Sequence, residues 1–464
     1  MTRALAAAVV AALAVAACGD GRPKGPNVLL VTIETLRSDH RGMKIGDVEL
    51  TPNIDKLAAA GTTFERTYAA ASFTLPSMHT IATGEPPPVH RARFWTQFGN
   101  HFRGVTLAQH FQAAHFRTAF LYSAYHPLGA WPAMARGWDE PPMGLERLDS
   151  EPVVEAASAW LDKHAAEPFF LWVHLFEPHT PYGPADKFVK GLADVDEYHR
   201  TGRADWPVQA WADRVPGGHG AELADLLYAA DVRAADDAVA QLVAALDRRG
   251  LTGRTVVCVT SDHGENLRAD PEPRWDHGVS TDEQLIRVPL VFRGPGVPAG
   301  KADAGIARHV DLAPTLLRLA GLDAPKGWSG RDLFGTTPAP AFAVAECSMM
   351  PNPTKPFYSV TNGTESLRIF TAPAPWRVEL RREGDRGAMP SPVDMAHPSP
   401  DAAPFVAAWN AESEWCGARA LEVNDVGGDV AQTEEQKKIV SLGYAGGRAV
   451  PKDEKDQKKE EEHK

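Results

Sequence analysis

Ser72-Phe73-Thr74-Leu75-Pro76-Ser77-Met78-His79-Thr80-Ile81-Ala82-Thr83-Gly84 is the stretch on which the rest of this chain turns. It places Thr74 at the start of a helix that runs through His79 and Ile81 toward Thr83-Gly84. Unpaired backbone N–H groups at such a start favour negative charge, whether an ionised hydroxyl or phosphoryl oxygens. Thr74 is therefore a helix N-cap with Ser77 as a turn residue, or a nucleophile, or both.

Working outward, two apolar runs end in charged residues. Asn27–Ile33 leads into Glu34, and Thr255–Thr260 leads into Ser261-Asp262-His263-Gly264-Glu265. In an open parallel sheet, sites gather at the carboxyl ends of the strands, so Glu34 and Asp262-His263 project to one edge. A lone Glu after a strand is most often a helix cap. Further along come Phe176-Glu177-Pro178-His179-Thr180-Pro181-Tyr182, then Asp276-His277-Gly278 and Ile286-Arg287-Val288-Pro289-Leu290. A histidine set between prolines, as His179 is, sits in a rigid loop, which suits an acid/base group as well as an ordinary surface loop.

Together these stretches resemble the sulfatase branch of the alkaline phosphatase superfamily, and they stand in the family's order. Pro26–His40 is similar to the first strand and metal loop, where Asp more often occupies the position of Glu34. Thr51–Leu57 is similar to the helix that follows, and Ser441–Gly446 to the end of many bacterial members. The resemblance implies an α/β fold: a mostly parallel sheet sandwiched by helices, as in alkaline phosphatase, with a smaller C-terminal α+β subdomain. It also implies a site. Glu34, Thr74, Asp262 and His263 correspond to the single-metal set of lipoteichoic acid synthases and phosphoethanolamine transferases, and His179 and His277 to the groups that contact ester oxygens or act on the leaving group. Two carboxylates, one imidazole and one hydroxyl suit one divalent ion, Mn²⁺ or Zn²⁺ before Ca²⁺ or Mg²⁺.

The departures from the family pattern set the expected chemistry. Sulfatases oxidise a Cys or Ser at the position of Thr74 to formylglycine, and threonine is not a substrate for that maturation. Met78 stands where they carry a supporting Arg, and Val279, Ser280 and Thr281 stand where a Lys is common. Arg66, Arg93 and Arg274 are the candidates to replace those cations. The expectation is a hydrolase or transferase in which Thr74 attacks a phosphoester of a small molecule, glycan or lipid, with hydrolysis favoured because spanning helices are lacking. A sulfate ester is the less favoured substrate. A catalytically silent lipoprotein that binds a sulfated or phosphorylated glycan is the non-enzyme alternative. His174 reads as core or as support for the site, and Tyr182, Trp275 and Asp276 as pocket lining.

The ends of the chain speak to location. Arg3, the run Ala4–Ala17 and Val15-Ala16-Ala17-Cys18 form a lipoprotein-type signal, too short to span a bilayer, which needs roughly 20 apolar residues. Lipid on Cys18 would hold an exported protein at the membrane, facing the periplasm or the cell exterior. Residues 26–337 are expected to be catalytic, 338–446 a C-terminal subdomain, and 447–464 a charged solvated tail. A net charge of −12 over 464 residues argues against nucleic acid as a partner. Cys258 falls in an apolar run and reads as inert core, while Cys347 and Cys416 are free to pair or not.

Strands are expected at Asn27–Ile33, Thr118–Tyr122, Phe169–Leu175, Thr255–Thr260 and Val288–Phe292, and helices at Val105–Ala114, Val153–His164, Asp231–Leu246 and His309–Leu319. After about Pro338 the pattern predicts short strands (Ser366–Phe370, Arg377–Arg381) and no strong helix before Glu434–Leu442.

Overall fold

The computed structural model describes residues 25–423 apart from 94–101, 103, 125–127, 132, 146–148, 202–218, 268–274, 348–356, 371–376 and 383–390. Cys18, Arg274, the expected helix Glu434–Leu442 and the charged tail lie outside the described residues.

Strands β1 (Asn27–Ile33), β2 (Thr62–Tyr68), β3 (Arg117–Ser123), β4 (Met143–Leu145), β5 (Phe169–Leu175), β6 (Thr255–Ser261), β7 (Leu290–Arg293) and β8 (Lys301–Arg308) form one sheet, in the order β8-β2-β7-β6-β1-β5-β3-β4. Neighbours run parallel except at β7, which opposes both β2 and β6. The strand expected over Val288–Phe292 is broken at Pro289, which has no N–H to give a ladder, into β7 and a two-residue piece, Arg287–Val288, that pairs with β2.

Helices α1 (Pro52–Ala59), α2 (Thr74–Thr83), α3 (Leu107–Ala113), α4 (Glu151–His164), α5 (Gly220–Asp247) and α6 (Leu312–Leu319) cover both faces. The central strands β1, β5 and β6 are buried on both faces because alternate side chains enter two separate cores. Leu29, Val31 and Ile33 join Leu171, Val173 and Val257 under α4 and α5. Leu30, Phe170, Trp172 and Cys258 join Leu75, Met78 and Leu316 under α2, α3 and α6. Helix α5 starts eleven residues before the expected Asp231, because Leu223 and Leu227 continue its apolar line at i, i+4.

Beyond the main sheet, β9 (Ala343–Cys347), β10 (Phe357–Thr361), β11 (Glu365–Phe370), β12 (Arg377–Arg382) and β13 (Ser391–Pro392) form an antiparallel meander. Helix α7 (Ala403–Val423) packs on it through Phe405, Val406 and Trp409. This helix corrects the expectation that no strong helix precedes Glu434. Its apolar contacts are divided, Phe405, Val406 and Trp409 against the meander and Trp415 and Cys416 against Val89 and Phe102, so no single i, i+3, i+4 stripe marks it in the sequence. The three described cysteines, Cys258, Cys347 and Cys416, are buried, and no disulfide joins any two of them.

Strand β9 also touches the main domain at two places. The Glu346 N–H donates to Ala70 O at 2.9 Å, and the Ser72 N–H donates to Glu346 O at 3.3 Å. The Cys347 thiol donates to Gly278 O at 2.9 Å. One strand thereby holds both the approach to Thr74 and the residue after His277.

Two histidines make folding acid-sensitive. Burial lowers the pKa of His79 to about 4 and that of His309 to about 3. The unfolded chain takes up a proton on each near pH 6.5, so their contribution is complete above that pH and is lost as pH falls toward the folded values. Between pH 7 and pH 5 the loss is about 2 kcal/mol for each. In urea unfolding at those two pH values, His79→Gln should shrink the difference by about that amount; an unchanged difference would assign the acid sensitivity to other groups.

Candidate active site

Four strands deliver the site from one edge. Strand β1 lies between β6 and β5, with Ile33 in register with Ser261 on one side and Leu175 on the other. The next residues out are Glu34, Asp262-His263 and the loop carrying His179. Strand β2 leads through Ala69–Phe73 to Thr74. The structure thus brings together all six site residues expected from the sequence, and all are buried: Glu34, Thr74, His179, Asp262, His263 and His277.

Thr74 is the first residue of α2 and Phe73 is its N-cap, so Thr74 is not a capping residue. Its hydroxyl faces Glu34 Oε1 at 3.0 Å and His263 Nε2 at 3.1 Å. At the other end Gly84 closes α2 in the left-handed region, with φ of 68° and its N–H donating to Thr80 O at 2.8 Å. Ser77 is more than a turn residue: its hydroxyl donates to Asp262 O at 2.5 Å and lies 3.0 Å from His309 Nδ1. The other ring nitrogen of His309 bonds Ser261 O at 3.0 Å. His309 therefore holds the turn that carries Asp262, a role that its place at a predicted helix start gave no means of seeing. Gly264 allows that turn to press on the chain beside it, since a Cβ there would lie 1.9 Å from Gln284 O.

The hydrogen-bond roles at the centre follow from the fixed donors. His263 Nδ1–H donates to Gly264 O at 2.8 Å, leaving the lone pair of Nε2 toward Thr74 and, at 3.3 Å, Asp262 Oδ2. Asp262 Oδ1 accepts from the N–H groups of Thr35 and His263 at 3.0 and 2.8 Å, whereas Oδ2 has no hydrogen-bond partner. Burial, then the nearby Glu34 carboxylate, pushes the pKa of Asp262 up. Burial, then His277, pushes that of His263 down, so its imidazole is neutral.

Glu34 Oε1, Asp262 Oδ2, His263 Nε2 and Thr74 Oγ1 form a concentration of lone pairs with one hydroxyl hydrogen among them. That donor chemistry fits a divalent cation of the oxygen- and nitrogen-preferring kind. The fit lies in the chemistry rather than in a finished coordination shell: among the described residues, no group of three or more His, Cys, Asp and Glu side chains is arranged as a metal site.

The two further histidines complete the pocket. The His179 Nδ1–H donates to Thr180 O, and its Nε2 lies 3.9 Å from Glu34 Oε1. The His277 ring lies 4.5 Å from that of His263 and 5.0 Å from that of His179, centroid to centroid. Burial opposes charge on His277, but Glu265, 3.3 Å from its Nδ1, outweighs it and the pKa rises to about 9. Of the histidines in this cluster, His277 is thus the one held toward its charged form.

Arg66 and Arg93, the two described arginines among the candidate replacements, are committed elsewhere. Arg66 donates to the carbonyls of Ala304 and Asn362, and Arg93 forms a two-pronged pair with Glu346 and also donates to Tyr358. Met78, at the position where sulfatases carry Arg, is packed in the core under α2. Of the residues expected to line the pocket, Tyr182 and Trp275 are buried and Asp276 is half-buried: Tyr182 packs on Tyr228, Trp275 donates to Asp225, and Asp276 accepts from the His277 N–H.

A family model described as Sulfatase matches residues 26–322. The chain is 26% identical over 342 residues to the ulvan-active sulfatase of Formosa agariphila, a match covering 67% of this chain and 65% of that protein. To arylsulfatase K of Xenopus laevis it is 30% identical over 218 residues, covering 39% and 38%. The chain therefore spans less than two thirds of the length of these curated relatives. In structure it is similar to the phosphonate monoester hydrolase SpPMH from Silicibacter pomeroyi, with a TM-score of 0.63 at 19% identity over 89% of this chain and 99% of that one. No helix among the described residues is long and apolar enough to cross a membrane. With the family match running from β1 through α6 and taking in every residue of the buried centre, this chain belongs to the sulfatase family.

Proposed function

We propose that this sulfatase-family hydrolase acts on phosphoesters or phosphonate esters, with Thr74 as the nucleophile and a phospho-threonine intermediate. The observation that carries this is the Thr74 hydroxyl, held at a helix start between Glu34 Oε1 and His263 Nε2.

Glu34, Asp262, His263 and Thr74 would hold the divalent ion, Mn²⁺ or Zn²⁺ by donor type, which when bound supplies Lewis-acid charge that lowers the pKa of the hydroxyl. Thr74 Oγ gives up its proton toward Glu34 and forms the O–P bond, while the bond from phosphorus to the leaving oxygen breaks. His179 and His277 stand where they can pass a proton to that oxygen. Water then attacks phosphorus in line, gives a proton back to the imidazole, and the Oγ–P bond breaks as Thr74 Oγ takes back its proton from Glu34. The backbone N–H groups at the start of α2 favour the phosphoryl charge throughout.

The test is a panel of chromogenic phosphomonoester, phosphodiester, phosphonate ester and sulfate ester substrates with Mn²⁺, Zn²⁺, Ca²⁺ and Mg²⁺ in turn. Phosphorus esters should turn over faster than sulfate esters by orders of magnitude. Faster aryl sulfate cleavage, with no modified residue at position 74, would refute the proposal in favour of the sulfatase reading that the ulvan-active relative supports. No turnover in any arm would favour a silent binding protein.

The lipid anchor is a separate part of the proposal. Cys18→Ser should leave the protein unprocessed or in the soluble fraction; unchanged membrane association of this variant in high salt would refute the anchor.

A further inference from the structure

A chain of four side chains runs across one face of the sheet into Glu34. The indole Nε1–H of Trp172 donates to Thr32 Oγ1 at 2.9 Å. Thr32 Oγ1 lies 2.9 Å from His174 Nδ1, and His174 Nε2 lies 3.2 Å from Glu34 Oε2. Thr32 and His174 are register partners on adjacent parallel strands. The period of two puts Thr32 with Glu34 on β1, and Trp172 with His174 on β5, on the face that α2 covers. All four are at most 1% exposed.

The direction of this chain is set by its ends. An indole N–H can only donate, so Thr32 accepts there; an ionised carboxylate can only accept, so His174 Nε2 must carry hydrogen. The single Thr32 hydrogen has no other acceptor among the contacts of its hydroxyl, so it goes to Nδ1, which holds the lone pair of the ring. Every hydrogen in the chain then has an acceptor. The result is a carboxylate whose Oε2 is tied from behind, while Oε1 is turned toward Thr74 at 3.0 Å.

We infer that His174 is a positioning residue: with its tautomer fixed by Thr32 and Trp172, it sets the rotation of the Glu34 carboxylate and thereby its capacity to hold a divalent cation next to Thr74. This inference rests on the proposed function for the cation but not for the hydrogen-bond direction. Outer-shell donors to metal-binding side chains typically change affinity by about 10–100-fold when removed.

The experiment combines two readouts on the full chain. Nitrogen-15 NMR of histidine-labelled protein, with the His174 signal identified by its loss in His174→Gln, should show protonation at Nε2 and a lone pair at Nδ1. Calorimetric titration with Mn²⁺ should show Thr32→Val weakening binding about 10-fold, although valine keeps the shape of threonine and never touches Glu34. His174→Leu should weaken it further, and His174→Gln, whose amide can donate to Oε2, should recover most of the affinity. If His174→Leu does not fold, Thr32→Val carries the test. A proton on Nδ1, or equal Mn²⁺ affinity in Thr32→Val and wild type, overturns the inference. Wild-type protein that binds no divalent ion overturns the functional proposal instead, and the NMR result alone then decides the direction of the chain.

Discussion

Thr74→Ala should abolish phosphoester turnover, by on the order of 10⁴-fold or more, whereas Thr74→Ser should keep a measurable fraction. The alanine variant loses the atom that forms the covalent bond, and the oxygens and nitrogens around it cannot take its place at the start of α2. Serine restores the hydroxyl but not the methyl group that limits threonine to few χ1 states, so part of the loss remains. The same residue dictates the ratio between substrates. Phospho-threonine can be opened by a second in-line attack. A sulfated threonine lacks the second hydroxyl on the same carbon through which hydrated formylglycine expels sulfate. Steady-state rates of the three proteins on an aryl phosphodiester and an aryl sulfate provide the check. Alanine activity equal to wild type would remove Thr74 from the mechanism.

Replacing Asp262 and His263 together by Ala should take the protein from about one tightly bound divalent ion per chain to almost none, read by elemental analysis of purified protein. Half of the four donors disappear, and the remaining two cannot compete with water for the ion. The metal-free comparison has the opposite sign. Asp262 buries an oxygen without a partner close to a second carboxylate, an arrangement that opposes folding when no cation is present. Melting of metal-free protein should therefore occur no lower in the double variant than in the wild type. A double variant that retains the wild-type metal content would remove both residues from the site.

The catalytic sheet was legible because its strands are buried on both faces and carry continuous apolar runs: β1 and β5 lie where Asn27–Ile33 and Phe169–Leu175 were expected. Strands with mixed composition were not. β8 begins Lys301-Ala302-Asp303 at an exposed sheet edge, and β9 (Ala343-Val344-Ala345-Glu346-Cys347) and β10 (Phe357-Tyr358-Ser359-Val360-Thr361) mix polar and small residues with apolar ones. Among the site residues, Glu34, Asp262 and His263 were legible because each follows a strand at the same sheet edge. The function of His309 was not, since it depends on a contact with Ser77 across 232 residues. Nor could the sequence show that Arg93 is engaged with Glu346, 253 residues away.

Strand β9 carries a consequence for modularity. By hydrogen bonding it belongs to the C-terminal sheet, yet Glu346 steadies the approach to Thr74 and Cys347 the residue after His277. A boundary near residue 338 is thus a seam in the sequence but not in the machine. The family match ends at residue 322, before β9 begins. The part that matches the family model and the part that holds the candidate site together are not the same length, and a gene fragment cut to the former would keep the site residues without the strand that is bonded to the chain on both sides of them.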